Sequence, residues 1–284
     1  METNPVVRLY QDKVVLITGA GRGIGKRLAL GFAMAKAKVG LLARTKAELD
    51  LADLEIEHAG GTSLRLRADV RDSGQVQASA ERLRGEYGEI DVLICAAGVQ
   101  GPIGPVATVN PRQWAEVLEV NLCGTMHACR AVLPSMIERR RGKIIILVGG
   151  GAQEPRPNFS AYAASKAALV RFAETLAEEV SDSNVQVNCM DPGATYTNMT
   201  DEIVKAGDMA GWREVQAATE ARGTGGTPPD KQLHLAMFLA SDRSNHVSGR
   251  LIGVDDNWKK LEHSKLPPNL FTLRRWTKTT TAVG

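Results

Sequence analysis

Short apolar runs rich in β-branched residues recur along the chain at 14–18 (VVLIT), 39–43 (VGLLA), 63–68 (SLRLRA), 90–96 (IDVLICA), 143–149 (KIIILVG), 185–190 (VQVNCM) and 250–254 (RLIGV). Between them lie longer stretches, 25–36, 45–59, 73–87, 111–133, 161–180 and 230–240, whose apolar residues repeat with helical spacing. Continuous apolar runs suit strands buried on both faces, and their alternation with helix-length segments predicts a parallel sheet covered by helices. The pattern therefore predicts an α/β fold with a doubly wound, seven-stranded sheet and mostly central strands. Asn110 before Pro111 reads as a helix N-cap followed by proline at the first helical position.

Two segments break the rhythm. Residues 193–229 are rich in Gly and Thr and contain one predicted short helix over 202–223, and a segment of this length beside a site reads as a substrate lid. The tail from 258 to 284 has no clear periodicity, yet Trp258, Leu261, Leu266, Leu270, Phe271, Leu273 and Trp276 make it too apolar for a disordered end. Part of it is expected to pack on the body or on a neighbouring subunit. No repeat or second domain is visible, so residues 1–284 read as one domain with a core over about 12–257.

Composition narrows the class. Hydrophobic residues make up 43 % and charged residues 24 % of 284, ordinary for a globular protein with a sizeable core. A net charge of +3, concentrated partly in the tail, gives no reason to expect nucleic acid or membrane as a partner. Cys95, Cys123, Cys129 and Cys189 form no CxxC pair and read as thiols in small or apolar surroundings, so no metal site is expected. The N-terminal residues lack the apolar segment of a secretory signal and no window reaches the length of a membrane span, which leads to the expectation of a cytoplasmic protein.

Candidate chemistry begins at VVLITGAGRGIGKRLALGFA, where a strand runs through Gly19, Gly21, Gly23 and Gly25 into a helix. Glycines let backbone N–H groups approach a diphosphate, and the helix N-terminus favours its charge. No acid follows the second strand. Arg22 in the glycine loop and Arg44 after the strand are instead two cations suited to a 2′-phosphate, favouring NADP(H) over NAD(H), which remains possible. In YAASK, Tyr162 and Lys166 stand four apart on one helical face, where a buried cation would lower the pKa of the phenol and make it a useful acid/base.

TGAGRGIG and YAASK, in this order, resemble the two landmarks of the short-chain dehydrogenase/reductase family, and the resemblance extends over about residues 12–257. It implies a Rossmann-like domain, an oxidoreductase acting on CH–OH groups, a small-molecule alcohol or ketone substrate and a homodimer or homotetramer. It also implies that Ile24 belongs to the phosphate loop, that Asp69 and Val70 meet the adenine, and that Ala97 and Gly98 of CAAG lie beside the cofactor. By the same resemblance Pro192, Gly193 and Thr197 of DPGATYT face the nicotinamide. Tyr162 would exchange a proton with the carbinol or carbonyl oxygen, Lys166 would hold the ribose and tune Tyr162, and Asn121 would support a proton relay.

One landmark is missing. The family usually places a serine thirteen residues before the tyrosine, and this chain has Gly149 there, opening a run of three glycines. A lost transition-state donor costs on the order of 10²- to 10³-fold in rate elsewhere. Gln153 is the candidate replacement, with Ser160 behind it, and the glycines would widen the pocket floor. The substrate reads as a sugar, polyol or other hydroxylated molecule, with an acyl, steroid or aromatic ketone nearly as well supported. The alternatives are a weakly catalytic nucleotide-binding sensor or structural subunit, or a related lyase or epimerase.

Overall fold

The computed structural model describes residues 10–263, 266–267 and 269–273. Seven strands form one sheet in the order β3-β2-β1-β4-β5-β6-β7, with every neighbouring pair parallel. They are β1 (Val14–Thr18), β2 (Lys38–Ala43), β3 (Thr62–Arg67), β4 (Val92–Cys95), β5 (Gly142–Leu147), β6 (Val185–Asp191) and β7 (Leu251–Gly253). Each begins and ends within a few residues of an apolar run, because β1, β4, β5 and most of β6 are buried on both faces.

Helices cover both faces. One apolar cluster joins Leu16, Leu93, Ile144 and Val187 to α3 (Ser73–Tyr87), α5 (Gly124–Glu138) and α6 (Ser160–Glu179). The other joins Val15, Ile17, Ile94 and Ile145 to α1 (Gly23–Met34), α2 (Lys46–His58) and α9 (Pro229–Ala240). Alternate residues of each strand thus feed opposite cores, as the pleat requires. Asn110 caps α4 (Pro111–Leu118), its side chain accepting from Arg112 N at 2.9 Å and Gln113 N at 3.3 Å.

The stretch 111–133 is not one regular helix. α4 and α5 are joined by a π-helical turn, Glu119–Cys123, which carries Asn121, and α5 continues beyond Pro134 to Glu138. Packing overrides the proline: Met136 is fully buried and Arg139 beyond it donates to Ile90 O at 2.7 Å. The lid also departs from expectation. It holds two helices, α7 (Asn198–Ala206) and α8 (Trp212–Thr224), broken by a short turn of 3₁₀ helix at Gly207–Met209.

The tail packs on the body where it is described. Trp258 is buried with its ring 5.3 Å from Phe238, and Leu261 is buried beside it. Phe271 O accepts from Leu251 N at 2.8 Å, so the tail covers part of the outer edge of β7, which would otherwise expose unpaired backbone groups. Trp276 lies outside the described residues.

Candidate active site

β1 and β4 are neighbours whose connections leave in opposite directions across the sheet, and a cleft opens at their carboxyl ends, the usual ligand position in such a fold. Thr18 Oγ1 accepts from Ala97 N at 3.2 Å and joins the two strand exits. Gly19 has φ +68°, and a Cβ there would stand 2.7 Å from the Ala97 backbone. A Cβ on Gly25 would lie 2.3 Å from Gly19 O, so α1 rests directly on the loop. Arg22 at the N-cap of α1 makes no side-chain cap, which leaves the first-turn N–H groups available to an anion.

Gly19, Gly21, Arg22, Gly23, Ile24, Gly25, Arg44, Asp69, Val70, Ala97, Gly98, Tyr162, Lys166, Pro192 and Thr197 all line this one cleft. Gly193 follows Pro192 and donates its N–H to Asp191 Oδ1 at 3.0 Å. Thr197 also caps α7 through a reciprocal capping box with Thr200. The glycine cradle, the uncapped helix end and the cationic rim fit a dinucleotide: the loop and α1 would hold its diphosphate, Arg22 and Arg44 its adenosine end, and Lys166 and Thr197 its nicotinamide end.

The rim is more balanced than the sequence suggests. Arg22 Nη1 lies 3.2 Å from Glu48 Oε1 and Arg44 Nη1 3.8 Å from Asp69 Oδ2, each arginine being 55 % exposed. Arg71 chelates Asp69 and donates its own backbone N–H to Oδ1 at 3.0 Å. The Arg71 hydrogen bond is the largest of the interactions holding the Asp69 carboxyl below the usual carboxylate range. Glu48, in the first turn of α2, has no sequence signal beyond helical spacing.

At the other end of the cleft, α6 presents Tyr162 and Lys166 one turn apart, both buried, with Lys166 Nζ 5.4 Å from the Tyr162 ring centre. Lys166 Nζ donates to Leu147 O at 2.9 Å. Asn121 is fully buried and acts as a clamp. Its Oδ1 accepts from Val99 N at 2.9 Å, and its Nδ2 donates to Val99 O at 3.1 Å and Ser165 Oγ at 3.0 Å. Ser165 Oγ then donates to Tyr162 O at 2.7 Å, tying the strand exit at 97–99 to α6. The π turn frees Asn121 for this work, since its extra residue alters the facing of the side chains.

Burial, rather than a cation, dominates the ionisation of the pair. It pushes Tyr162 up to about 12, against a lowering contribution from Arg156, and brings Lys166 down to about 8. Gly149 stands where the missing hydroxyl belongs: a Cβ built on it would lie 3.3 Å from Tyr162 Oη. Gln153 is exposed and is not among the cleft-lining residues. Ser160 Oγ accepts from Trp114 Nε1 at 3.0 Å.

The sequence reading missed Arg156, in the loop between the glycine run and α6. Its guanidinium lies 4.0 Å from the Phe159 ring centre and 5.4 Å from that of Tyr162, and it chelates Glu214 of α8 at 2.9 and 2.7 Å. The only available signal was a lone basic residue in PRPNFSA, six positions before the tyrosine. Under the lid, Phe159, Tyr162, Ile203, Ala210 and Ala218 form a third apolar cluster against which Ile103, Met199, Val204 and Val215 pack.

A doubly wound sheet with a glycine cradle at its switch point and a Tyr–Lys pair across the cleft defines a nucleotide-dependent oxidoreductase. Residues 13–208 match the profile of the short chain dehydrogenase family. The chain is 33 % identical over 245 residues to the 3-oxoacyl-(acyl-carrier-protein) reductase FabG of Thermotoga maritima, covering 86 % of this chain and 97 % of that one. It is 33 % identical over 263 residues to the cyclohexanol dehydrogenase of Rhodococcus sp. strain TK6, with coverages of 86 % and 95 %. The crystal structure of an NAD⁺-bound xylitol dehydrogenase superposes with a TM-score of 0.79 at 26 % identity, covering 86 % of this chain and 98 % of that one. The chain belongs to the short-chain dehydrogenase/reductase family and is an oxidoreductase acting on CH–OH groups.

Proposed function

We propose that this protein interconverts a secondary alcohol and a ketone with NADP(H), using Tyr162 as acid/base and Lys166 to favour its ionised form. The observation that carries this is the placement of Tyr162 and Lys166 in the same cleft as the glycine cradle. When bound, the nicotinamide supplies or accepts the hydride. In ketone reduction Tyr162 Oη donates its proton to the carbonyl oxygen as charge develops there, and in alcohol oxidation the phenolate removes the hydroxyl proton. Lys166, fixed by Leu147 O, offsets the phenolate charge, and Asn121 keeps α6 in register with the strand exit. The preference for NADP(H) is supported by Arg22 and Arg44, both accessible at the rim and able to bind a 2′-phosphate.

Tyr162 and Met199, the members of the apolar cluster under the lid that line the cleft, favour a substrate with an apolar body, such as a cyclic or acyl ketone, over the sugar or polyol that the open glycine run suggests. The relative named for cyclohexanol makes that alcohol the first probe. A homodimer or homotetramer remains the expected assembly by family analogy. Gly149 favours a second reading, a nucleotide-binding protein with little turnover. Initial rates of nicotinamide reduction with cyclohexanol, xylitol and longer secondary alcohols, with NADP⁺ and with NAD⁺, separate the two. The proposal expects turnover of at least one alcohol, with kcat/KM at least about 10-fold higher for NADP⁺, the value of one charge-assisted hydrogen bond. Tight nucleotide binding without turnover across the series would favour the second reading.

A further inference from the structure

Arg156 is a costly residue to place where it stands. Its side chain is 13 % exposed, it lies between the catalytic helix and the lid, and a buried guanidinium needs a well-placed counter-charge. Glu214, 28 % exposed, supplies one in a two-point ion pair from α8. The stem runs along the glycines: a Cβ on Gly151 would meet Arg156 Cβ at 3.4 Å, and one on Gly150 would meet its Cδ at 4.0 Å. Lys166 Nζ and the Arg156 guanidinium are both 5.4 Å from the centre of the Tyr162 ring, so the tyrosine has two cations at equal distance.

We propose that Arg156 is a positioning residue for Tyr162, a fixed second cation supporting the phenolate in a chain that has no hydroxyl at position 149, and that Glu214 holds it there only while α8 is docked. The proposal rests on the reading of Tyr162 as the acid/base. Arg156 supplies charge rather than a hydrogen bond to substrate, and acts through the ring. The charged groups facing Tyr162 are Lys166 on its own helix, Asp191 at the end of β6, Arg156 in the preceding loop and Glu214 behind Arg156. Asp191 opposes ionisation of the phenol and Arg156 favours it. Glu214 opposes part of the effect of Arg156, whose own influence on the phenol is to favour ionisation. Undocking α8 would remove the carboxylate that fixes the guanidinium, so the support from Arg156 is in place only while the lid is docked, where it offsets part of the burial that raises the phenol.

The alternative role is a plain staple between loop and lid, and the two roles move Tyr162 in opposite directions. A loosened lid rehydrates the phenol and lowers its pKa, whereas loss of a supporting cation raises it. The test incorporates difluorotyrosine at position 162, which titrates at lower pH than tyrosine, and follows its ionisation by fluorine NMR in the nucleotide-free protein. Arg156→Met is expected to raise the titration by about one unit, and Arg156→Lys to leave it within about 0.3 units. The double variant Arg156→Met/Glu214→Gln, which leaves no unpaired carboxylate, should still raise it, by about half a unit. Arg156→Gln carries the same expectation as Arg156→Met should the latter fail to fold, with circular dichroism as the check. Unchanged or lower titration in the neutral variants would overturn the proposal. Because neither nucleotide nor substrate is present, that result is distinct from a failure of the dehydrogenase reading, which would appear as absent turnover in the alcohol series.

Discussion

The two flanks of Tyr162 are built on different principles. On the nucleotide flank, glycines are fixed by backbone: a side chain at Gly25 would collide with Gly19 O at 2.3 Å, and one at Gly19 with the Ala97 backbone at 2.7 Å. On the lid flank, the nearest atom to a Cβ on Gly149 is Tyr162 Oη at 3.3 Å, and charge is supplied by a side chain, Arg156, held from the lid. The difference separates parts that main-chain sterics dictate from parts that side chains can exchange among themselves.

The largest effect that would test this contrast is at Gly25. Gly25→Ala forces α1 off the loop, at a cost of about 3 kcal/mol in stability, and weakens NADP⁺ binding by about 100-fold. Urea unfolding and isothermal titration calorimetry measure the two losses. If the variant binds NADP⁺ normally, the steric argument fails.

At the rim, Arg44→Ala is expected to weaken NADP⁺ by about 10- to 100-fold and to change NAD⁺ by less than about threefold, since only the former carries the 2′-phosphate. Equal losses for both nucleotides would assign Arg44 to general electrostatics. Gly149→Ser is the complementary test on the lid flank. It should cost less than about 1 kcal/mol and raise kcat about 10-fold by adding a donor beside Tyr162 Oη. A fall in kcat would mean that the lid flank is as sterically fixed as the nucleotide flank.

A pH-dependent effect concerns Lys166, whose pKa falls from 10.5 to about 8 through burial. Below pH 8 it is charged in both folded and unfolded states, and the fold carries the cost of the buried ammonium. Between about 8 and 10.5 the unfolded chain retains a proton that the fold has released, so stability rises with pH across that window. Lys166→Met should therefore abolish turnover yet stabilise the protein at neutral pH by about 1–2 kcal/mol, less than the full shift because Leu147 O loses its donor. Lys143, also lowered to about 8 by burial, keeps its own share of the pH-dependent rise. Urea unfolding at neutral and alkaline pH distinguishes these expectations from a variant that is destabilised throughout.

The same contrast governs what can be read from the chain alone. The sheet, its strands and the phosphate loop are written in apolar runs and glycine spacing because burial on both faces and close backbone contacts restrict the residues locally. The lid reads as one helix because helical spacing spans 202–223, whereas two helices meet at Gly207–Met209. The π turn that carries Asn121 is invisible because the contacts of that side chain, to Val99 and Ser165, are distant in sequence. Gly149 is legible as a departure from the family, but its surroundings are not. Gln153, the nearest polar residue with a flexible side chain in the adjoining loop, is exposed, while Arg156 acquires its place only when α8 brings Glu214 to it.

The most direct test of the central claim, that Tyr162 performs the proton transfer despite glycine at 149, is the single-turnover rate of NADPH oxidation with cyclohexanone in wild type and Tyr162→Phe, alongside NADPH affinity. Oxidation by the wild type is expected, with a rate lower by at least about 10³-fold in the variant and affinity within about threefold. An equally fast variant, or a wild type that binds NADPH tightly but leaves it unoxidised with cyclohexanone and every other ketone offered, would contradict it.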